Sequence, residues 1–286
     1  MPSYRSIKLE NVSYVYEKGT STEYAALKNV DLEIEKGEFV AIIGHTGSGK
    51  STLIQHFNGL EKCTEGTVYF DGKDISEKDF DLKQLRRRVG LVFQYPEHQL
   101  FEETVISDVC FGPSNQGLKK EECIKKAKAA LELVGVSKEL YEKSPFELSG
   151  GQKRRVAIAG VLAMEPDIII LDEPTAGLDP KGRDKILKCI KDLHDKKGIG
   201  VILVSHSMED VANYAERIIV MNKGKVMYDD SPHKVFSHYK ELEKMGLAAP
   251  QITYIMHILK EKGFNVDEDI INLEEAKESI LKSIGR

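Results

Sequence analysis

A chain of 286 residues with 41% hydrophobic and 30% charged side chains can bury one large core or two modest ones, and its composition is not that of a disordered segment. A formal net charge of −5 and a pI near 6.0 argue against a protein whose main work is covering nucleic acid, because phosphate neutralisation needs clustered Lys and Arg. The four cysteines, Cys63, Cys110, Cys123 and Cys189, lie far apart with no Cys-x-x-Cys pair and no His at metal-ligand spacing, which excludes a zinc ribbon or a disulfide framework and fits a reducing compartment.

The opening segment MPSYRSIKLE lacks the apolar stretch of a secretory signal, and the longest apolar runs are five residues, as in FVAII. A membrane span needs roughly 18, so a cytosolic chain that docks on a membrane protein is expected. Within the first forty residues Val30, Leu32 and Ile34 alternate with charged residues, and Val68-Tyr-Phe-Asp-Gly-Lys carries an Asp-Gly turn, which predicts a small antiparallel sheet. The run FVAII (39–43) then leads directly into Gly44-His45-Thr46-Gly47-Ser48-Gly49-Lys50-Ser51-Thr52, and the helical pattern TLIQHFNGL follows. Strand, Gly-x-x-x-x-Gly-Lys-Ser and helix in that order match the phosphate-binding loop. Its glycines let successive N–H groups curl towards phosphate oxygens, and the helix N-terminus adds a positive end. Lys50 is expected to reach the β- and γ-phosphates, and Ser51 to ligate Mg²⁺.

Arg86-Arg87-Arg88 reads as a solvated helix face. Next comes VGLVF (89–93), apolar on both faces like FVAII, IIIL (168–171), VILV (201–204) and RIIVM (217–221), and these runs predict buried parallel strands. Helical stretches between them, such as 184–193 with Ile186, Ile190 and Leu193 on one face, give an α/β, P-loop NTPase architecture around a parallel sheet. From about 96 to 162 the pattern turns helical, with Ile124, Ala127, Leu131 and Val134 at helix spacing, and predicts an inserted helical subdomain. The strand at 168–171 ends in Asp172-Glu173, the acidic companion such a loop requires. Asp172 is expected to hold Mg²⁺ through water, and Glu173 to orient or deprotonate the attacking water. Beyond residue 236 lies a tail with two amphipathic segments, 251–261 and 273–284, the second with Asn272 as N-cap and Glu275 at the third position.

These residues alone describe a nucleotidase. The stretch Leu148-Ser149-Gly150-Gly151-Gln152, followed by KRRVAIAGVLAMEPDIIILDEPTAGLD, resembles the ATP-binding cassette (ABC) family over about residues 7–236. The resemblance implies ATP and Mg²⁺ as ligands and a pair of cassettes, each γ-phosphate lying between the phosphate loop of one subunit and Ser149, Gly150, Gly151 and Gln152 of the other. It also implies that Gln94 touches Mg²⁺ and the lytic water, that His206 contacts the γ-phosphate, and that Asp179 crosses the dimer interface. Tyr16 would stack on adenine, with Tyr14, two residues away on the same strand face, as the alternative.

The run from Gln94 through Tyr95-Pro96-Glu97-His98-Gln99-Leu100-Phe101-Glu102-Glu103-Thr104-Val105, followed by DVCFGP, resembles the ATPases of energy-coupling-factor importers for vitamins or transition metals. His45 and the insertion EKGTSTEYAALKNV resemble the second of their two sibling ATPases. The resemblance implies a cassette over 1–236 and a helical extension over 237–286, which either contacts the second cassette or packs on its own subunit. Its partners would be a second ATPase, identical or not, an integral membrane scaffold subunit whose coupling helix lies against Leu100 and Phe101, and a membrane-embedded substrate-binding subunit, with no nucleic acid. The chain would then sit at the cytoplasmic face of the membrane. A cassette of another transporter class is the alternative, and a single phosphate loop and signature, with no long heptads between Gly49 and Ser149, disfavour ribosomal and chromosomal ATPases.

Overall fold

The computed structural model describes residues 7–285. Two sheets and a helical layer make up the fold. The first sheet is antiparallel and four-stranded, in the order β2-β1-β4-β5, from β1 (Ile7–Tyr16), β2 (Tyr24–Ile34), β4 (Glu65–Phe70) and β5 (Lys73–Asp74). Its alternating side chains bury Ile7, Leu9, Val12, Val30, Leu32 and Ile34 on one face, as the sequence period predicts. The β4–β5 turn is Asp71-Gly72, both with positive φ (49° and 78°), the hairpin geometry an Asp-Gly pair favours.

The second sheet has six strands in the order β10-β9-β3-β8-β7-β6. Its parallel members are β3 (Phe39–Ile43), β6 (Val89–Val92), β7 (Ile168–Asp172), β8 (Gly200–Val204) and β9 (Arg217–Asn222); β10 (Lys225–Asp230) adds an antiparallel edge. Strands β3, β7 and β8 are buried at every position, which explains runs without alternation. The edge hairpin of β9 and β10 is absent from the sequence reading because β10, KVMYDD, is short and mostly polar.

Helix α1 (Lys50–Phe57) leaves the phosphate loop, and α2 (Leu82–Arg88) precedes β6. The inserted layer contains α3 (Val105–Asn115), α4 (Lys120–Leu133) and α5 (Gly150–Leu162), packed through Val109, Ala127, Leu131, Val156 and Ala159. Helix α6 (Pro180–Lys197) spans more than the predicted 184–193, with Asp179 as N-cap and Gly198 in the left-handed conformation as C-cap. It buries Ile186, Leu187, Ile190 and Leu193 against the sheet, and α7 (Met208–Tyr214) follows β8.

Arg88 departs from the solvated-face expectation. It bonds Asp71 and Asp167 and lies 4.6 Å over the Phe70 ring, joining the two sheets. Arg86 donates to the Gly59 carbonyl, and Arg87 is exposed.

The tail begins with α8 (Pro232–Ser237) and α9 (Tyr239–Lys244), two short helices missing from the sequence reading. Val235, Phe236, Leu242, Leu247 and Ala249 pack on Ala41, Ile43, Ile218 and Val220, so this part joins the core of its own chain. Helices α10 (Gln251–Glu261) and α11 (Leu273–Ser283) form a small cluster with Met256, Val266, Ile270 and Ala276. Asn272 caps α11 by accepting from the Glu275 amide, but Glu275 reaches back to the Ile271 amide rather than to that of Asn272. Among the described residues no helix is long and apolar enough to cross a membrane.

Candidate active site

Four neighbouring parallel strands, β3, β8, β7 and β6, end on the same edge of the sheet, where open α/β sheets hold their ligands. The segments leaving those ends are the phosphate loop after β3, His206 after β8, Asp172-Glu173 at β7 and Gln94 after β6. Sheet order therefore brings together residues far apart in the chain.

The phosphate loop is a tight backbone cradle. Gly44, Gly47 and Gly49 have φ of 159°, 79° and 105°. A Cβ at Gly49 would lie 2.5 Å from the Ala26 carbonyl oxygen, so the β2 backbone admits glycine alone there. Gly49 is the N-cap of α1, and Lys50 is its first residue. The Lys50 side chain, with 6% of its surface exposed, donates to the carbonyls of Gly44 (2.7 Å) and His45 (3.2 Å). Two of its three ammonium donors are thus used, and one remains for a phosphate oxygen. Burial lowers the Lys50 pKa, and the carboxylates of Glu173 and Asp172 oppose that shift. The Ser48 hydroxyl is buried without a partner.

Ser51 Oγ donates to Asp172 Oδ2 at 3.3 Å. Burial and the neighbouring Glu173 charge raise the Asp172 pKa, against the lowering effects of Ser51, Lys50 and His206. A hydroxyl beside an acidic oxygen is the donor set Mg²⁺ uses when phosphate and water supply its other ligands. The His/Cys/Asp/Glu groups of the described residues form no cluster able to hold a metal unaided. These residues therefore fit a cation carried in with the nucleotide.

Glu173 takes a left-handed backbone conformation (φ 50°), fixed by donation of its amide to the Val204 carbonyl (3.0 Å). Gln94 Nε2 donates to its Oε2 at 2.8 Å, and His206 Nε2 stands 2.8 Å from its Oε1. Two predicted residues, Gln94 and His206, thus converge on the carboxylate of a third, Glu173. Tyr95, after Gln94, is also left-handed (φ 54°) and begins the turn at Pro96–Gln99.

Tyr14 and Tyr16 meet edge to face with ring centroids 4.7 Å apart. Tyr14 is engaged: its hydroxyl donates to Glu61 (2.6 Å), its ring packs on His56, and burial with the Glu61 bond pushes its pKa up to about 12. Tyr16 is more open, 3.1 Å from the Thr52 hydroxyl on α1. Tyr24, opposite Tyr16 in the register, donates to the Gly47 carbonyl at 2.8 Å. His45 meets Asn222 at 3.1 Å, and the Gly224 amide donates to the Ser48 carbonyl. Sequence reasoning missed Tyr24 and Asn222. Their signal is pairing: Tyr24 sits across from Tyr16, and Asn222 ends the strand beside β3.

The Ser149–Gln152 stretch lies apart from the loop of its own chain, and no hydrogen bond of the described residues joins the two. Ser149 caps α5 in a reciprocal box, donating from its amide to Gln152 Oε1 (2.9 Å) while its Oγ accepts from the Gln152 amide (3.4 Å). Gly150 has open space where a Cβ would stand. Five residues past Ser149, Arg154 is 1% exposed. It donates to both oxygens of Glu97 (2.9 and 2.5 Å) and to the carbonyls of Pro174 (3.1 Å) and Ala176 (2.6 Å). Sequence reading passed over it, although a charge between the apolar positions of a packed helix is its trace. A groove of about 1150 Å³ includes Leu100, Phe101, Phe111, Arg86, Arg87 and Met164 in its lining. Phe101 is 57% exposed and meets Phe111 edge to face at 5.0 Å.

Residues 27–176 match the family model described as ABC transporter. Along nearly its whole length the chain is similar to the energy-coupling factor transporter ATP-binding protein EcfA2 of Clostridium tetani, 59% identical over 97% of this chain and 96% of that one. The protein of the same name from Clostridium perfringens is 56% identical over 98% of each. Among solved structures, cbiO1 from Clostridium perfringens, part of the ABC transporter complex cbiONQ, superimposes with a TM-score of 0.75 at 40% identity, covering 90% of this chain and 99% of that one. A dimeric ATP-binding cassette in a post-hydrolysis state, bound to ADP and Pi, gives 0.71 at 37% identity over 79% and 98%.

Proposed function

The chain belongs to the ABC transporter family, as the ATP-binding, ATP-hydrolysing subunit of an energy-coupling factor transporter, and from that premise we propose how its residues divide the work. Tyr16 receives the adenine, Tyr14 being committed to Glu61. The loop from Gly44 to Thr52 wraps the phosphates, with Lys50 pointing its remaining donor between the β- and γ-phosphates. Ser51 and Asp172, with Gln94, would hold Mg²⁺, which when bound would supply positive charge to offset that developing on the phosphates. Glu173 takes a proton from the water whose oxygen attacks the γ-phosphorus as the bond to the bridging oxygen breaks and ADP leaves, while His206 Nε2 and Gln94 Nε2 hold the carboxylate by its two oxygens and keep it facing that water. The observation that carries this assignment is the convergence of Gln94 and His206 on Glu173.

A second cassette completes the site. Ser149, Gly150, Gly151 and Gln152 open α5 to the outside with its positive end, suited to a γ-phosphate bound on a partner's loop. Asp179, exposed at the start of α6, faces the same contact. The exposed Ile255, Ile258, Phe264 and Leu273 of the tail extend that contact, while α8 and α9 pack on their own subunit. The groove beside Phe101 and Phe111 receives a coupling helix of the membrane scaffold, placing the chain peripherally at the cytoplasmic face, with a membrane-embedded subunit choosing the vitamin or metal.

The test is co-expression of the tagged chain with its genomic neighbours, extraction in detergent, and ATPase assay beside Glu173→Gln. A second cassette, an integral scaffold and a small membrane protein are expected in the complex, with hydrolysis lost in the variant. A chain recovered alone, or with permeases of another importer class, would reject the assembly.

A further inference from the structure

Arg183 lies on α6 one turn beyond Asp179, and its amide donates to the Asp179 carbonyl at 2.9 Å. Its guanidinium leaves the helix for the segment after β8. Nε and Nη2 donate to Asp210 Oδ1 (3.0 and 2.5 Å), and Nη2 also donates to Ser207 Oγ. Asp210 is 5% exposed, and its second oxygen has no partner, so Arg183 is the only side-chain cation bound to it in the described residues. Ser207 is held from three directions: its amide donates to Ser205 Oγ (3.0 Å), and its Oγ accepts from the Asp210 amide (3.2 Å) as well as from Arg183. His206 stands between the two bonded serines.

We infer that Arg183 is a positioning residue for hydrolysis, clamping Ser207 and Asp210 to the first turn of α6 and so fixing His206 against Glu173. The inference rests on the ATPase reading above. With the His206 backbone pinned on both sides, only its own side-chain torsions remain to place Nε2 against Glu173 Oε1. The bonds from Arg183 to Asp210 are charge-assisted, and the bidentate reach to Ser207 and Asp210 together needs the planar fork of arginine.

Steady-state ATP hydrolysis and equilibrium ATP binding of the purified complex test this, with Arg183→Ala placed in wild-type and His206→Ala backgrounds and residual turnover followed with radiolabelled ATP. Arg183→Ala is expected to lower kcat about tenfold with ATP affinity within about twofold, and to cost less than about twofold once His206 is gone. A tenfold loss that persists in the His206→Ala background, or a wild-type kcat for Arg183→Ala, overturns the inference. Should Arg183→Ala not fold, Arg183→Lys keeps a cation opposite Asp210 but cannot span to Ser207; a kcat loss that vanishes without His206 supports the clamp, and a wild-type kcat overturns it. Hydrolysis by wild type but not by Glu173→Gln keeps the ATPase reading whatever the Arg183 variants do. Absence of wild-type hydrolysis defeats both.

Discussion

His206 Nε2 lies 2.8 Å from Glu173 Oε1, across the gap between the ends of β8 and β7. The other oxygen of that carboxylate accepts from Gln94 at 2.8 Å, so both oxygens of the proposed base are held by side chains of its own chain. Glu173→Gln keeps the shape of the side chain and removes its basicity. Turnover is expected to fall at least about 10²-fold, the usual contribution of a positioned general base, while ATP binding is retained. Phosphate release and equilibrium binding on one preparation check it; substantial turnover in the variant would take the proton-accepting role away from Glu173.

Asp172 is predicted to weaken the nucleotide-free fold. Burial and the Glu173 charge raise its pKa in the folded chain above the ordinary 3.8, so across that window the native state binds more protons than the unfolded one. Stability therefore falls as pH rises from 3.8 through the raised value, and the full penalty is present above it. Asp172→Asn is expected to raise the melting temperature without nucleotide and to abolish the added stabilisation by Mg-ATP, about 2.7 kcal/mol at a hundredfold excess over Kd. Thermal melts with and without Mg-ATP read both effects; a lower melting temperature for the nucleotide-free variant would refute the sign.

Much of this site is legible in the sequence because its signals are local. Gly44 to Ser51 declares a phosphate loop by glycine spacing, and Ile168 to Glu173 an acidic strand end by composition. Whether Asp172 meets Ser51 depends on β8 lying between β3 and β7, a sheet order no short window contains. The roles of Ser149 and His206 came from resemblance, and the structure adds where each side chain points. Arg154, Arg183 and Tyr24 stayed invisible because their partners lie 20 or more residues away and each looks, alone, like an ordinary surface residue. The helices α8 and α9 were missed for another reason: at six residues each they are too short for an apolar period to show.

Arg154 joins three segments: Glu97 after the Gln94 turn, the Pro174 and Ala176 carbonyls after Glu173, and its own helix α5. Burial would raise the Glu97 pKa, but the Arg154 bonds and the Glu97 backbone amide hold it below 4.5. The pair's stabilisation is then complete above 4.5 and lost as pH falls through the lowered value. Arg154→Ala leaves Glu97 and two carbonyls without their donor, and breaking a buried pair costs about 3–5 kcal/mol. A drop in melting temperature on the order of ten degrees is expected. A drop of only a degree or two would mean that water replaces the guanidinium.

Phe101 is predicted to matter for assembly and not for the fold. It is 57% exposed, touches Phe111 edge to face at 5.0 Å, and lies in the groove with Leu100 buried beneath it. An exposed aromatic pair in a concave site is the kind of anchor that carries binding energy between proteins, where truncation costs about 2 kcal/mol or more. Phe101→Ser removes that anchor at a solvent-facing position, so the isolated chain should keep its stability within about 0.5 kcal/mol. ATP binding should also be unchanged, since Phe101 touches neither the phosphate loop nor Glu173 through any bond of the described residues. In the co-expressed complex the variant is expected to lose the membrane scaffold subunit while keeping the second cassette, because none of Ser149, Gly150, Gly151 and Gln152 lines the groove. Recovery of each partner in detergent extracts, compared with melting curves of the isolated chain, separates the two effects. Scaffold recovery at the wild-type level would move the docking site away from this groove.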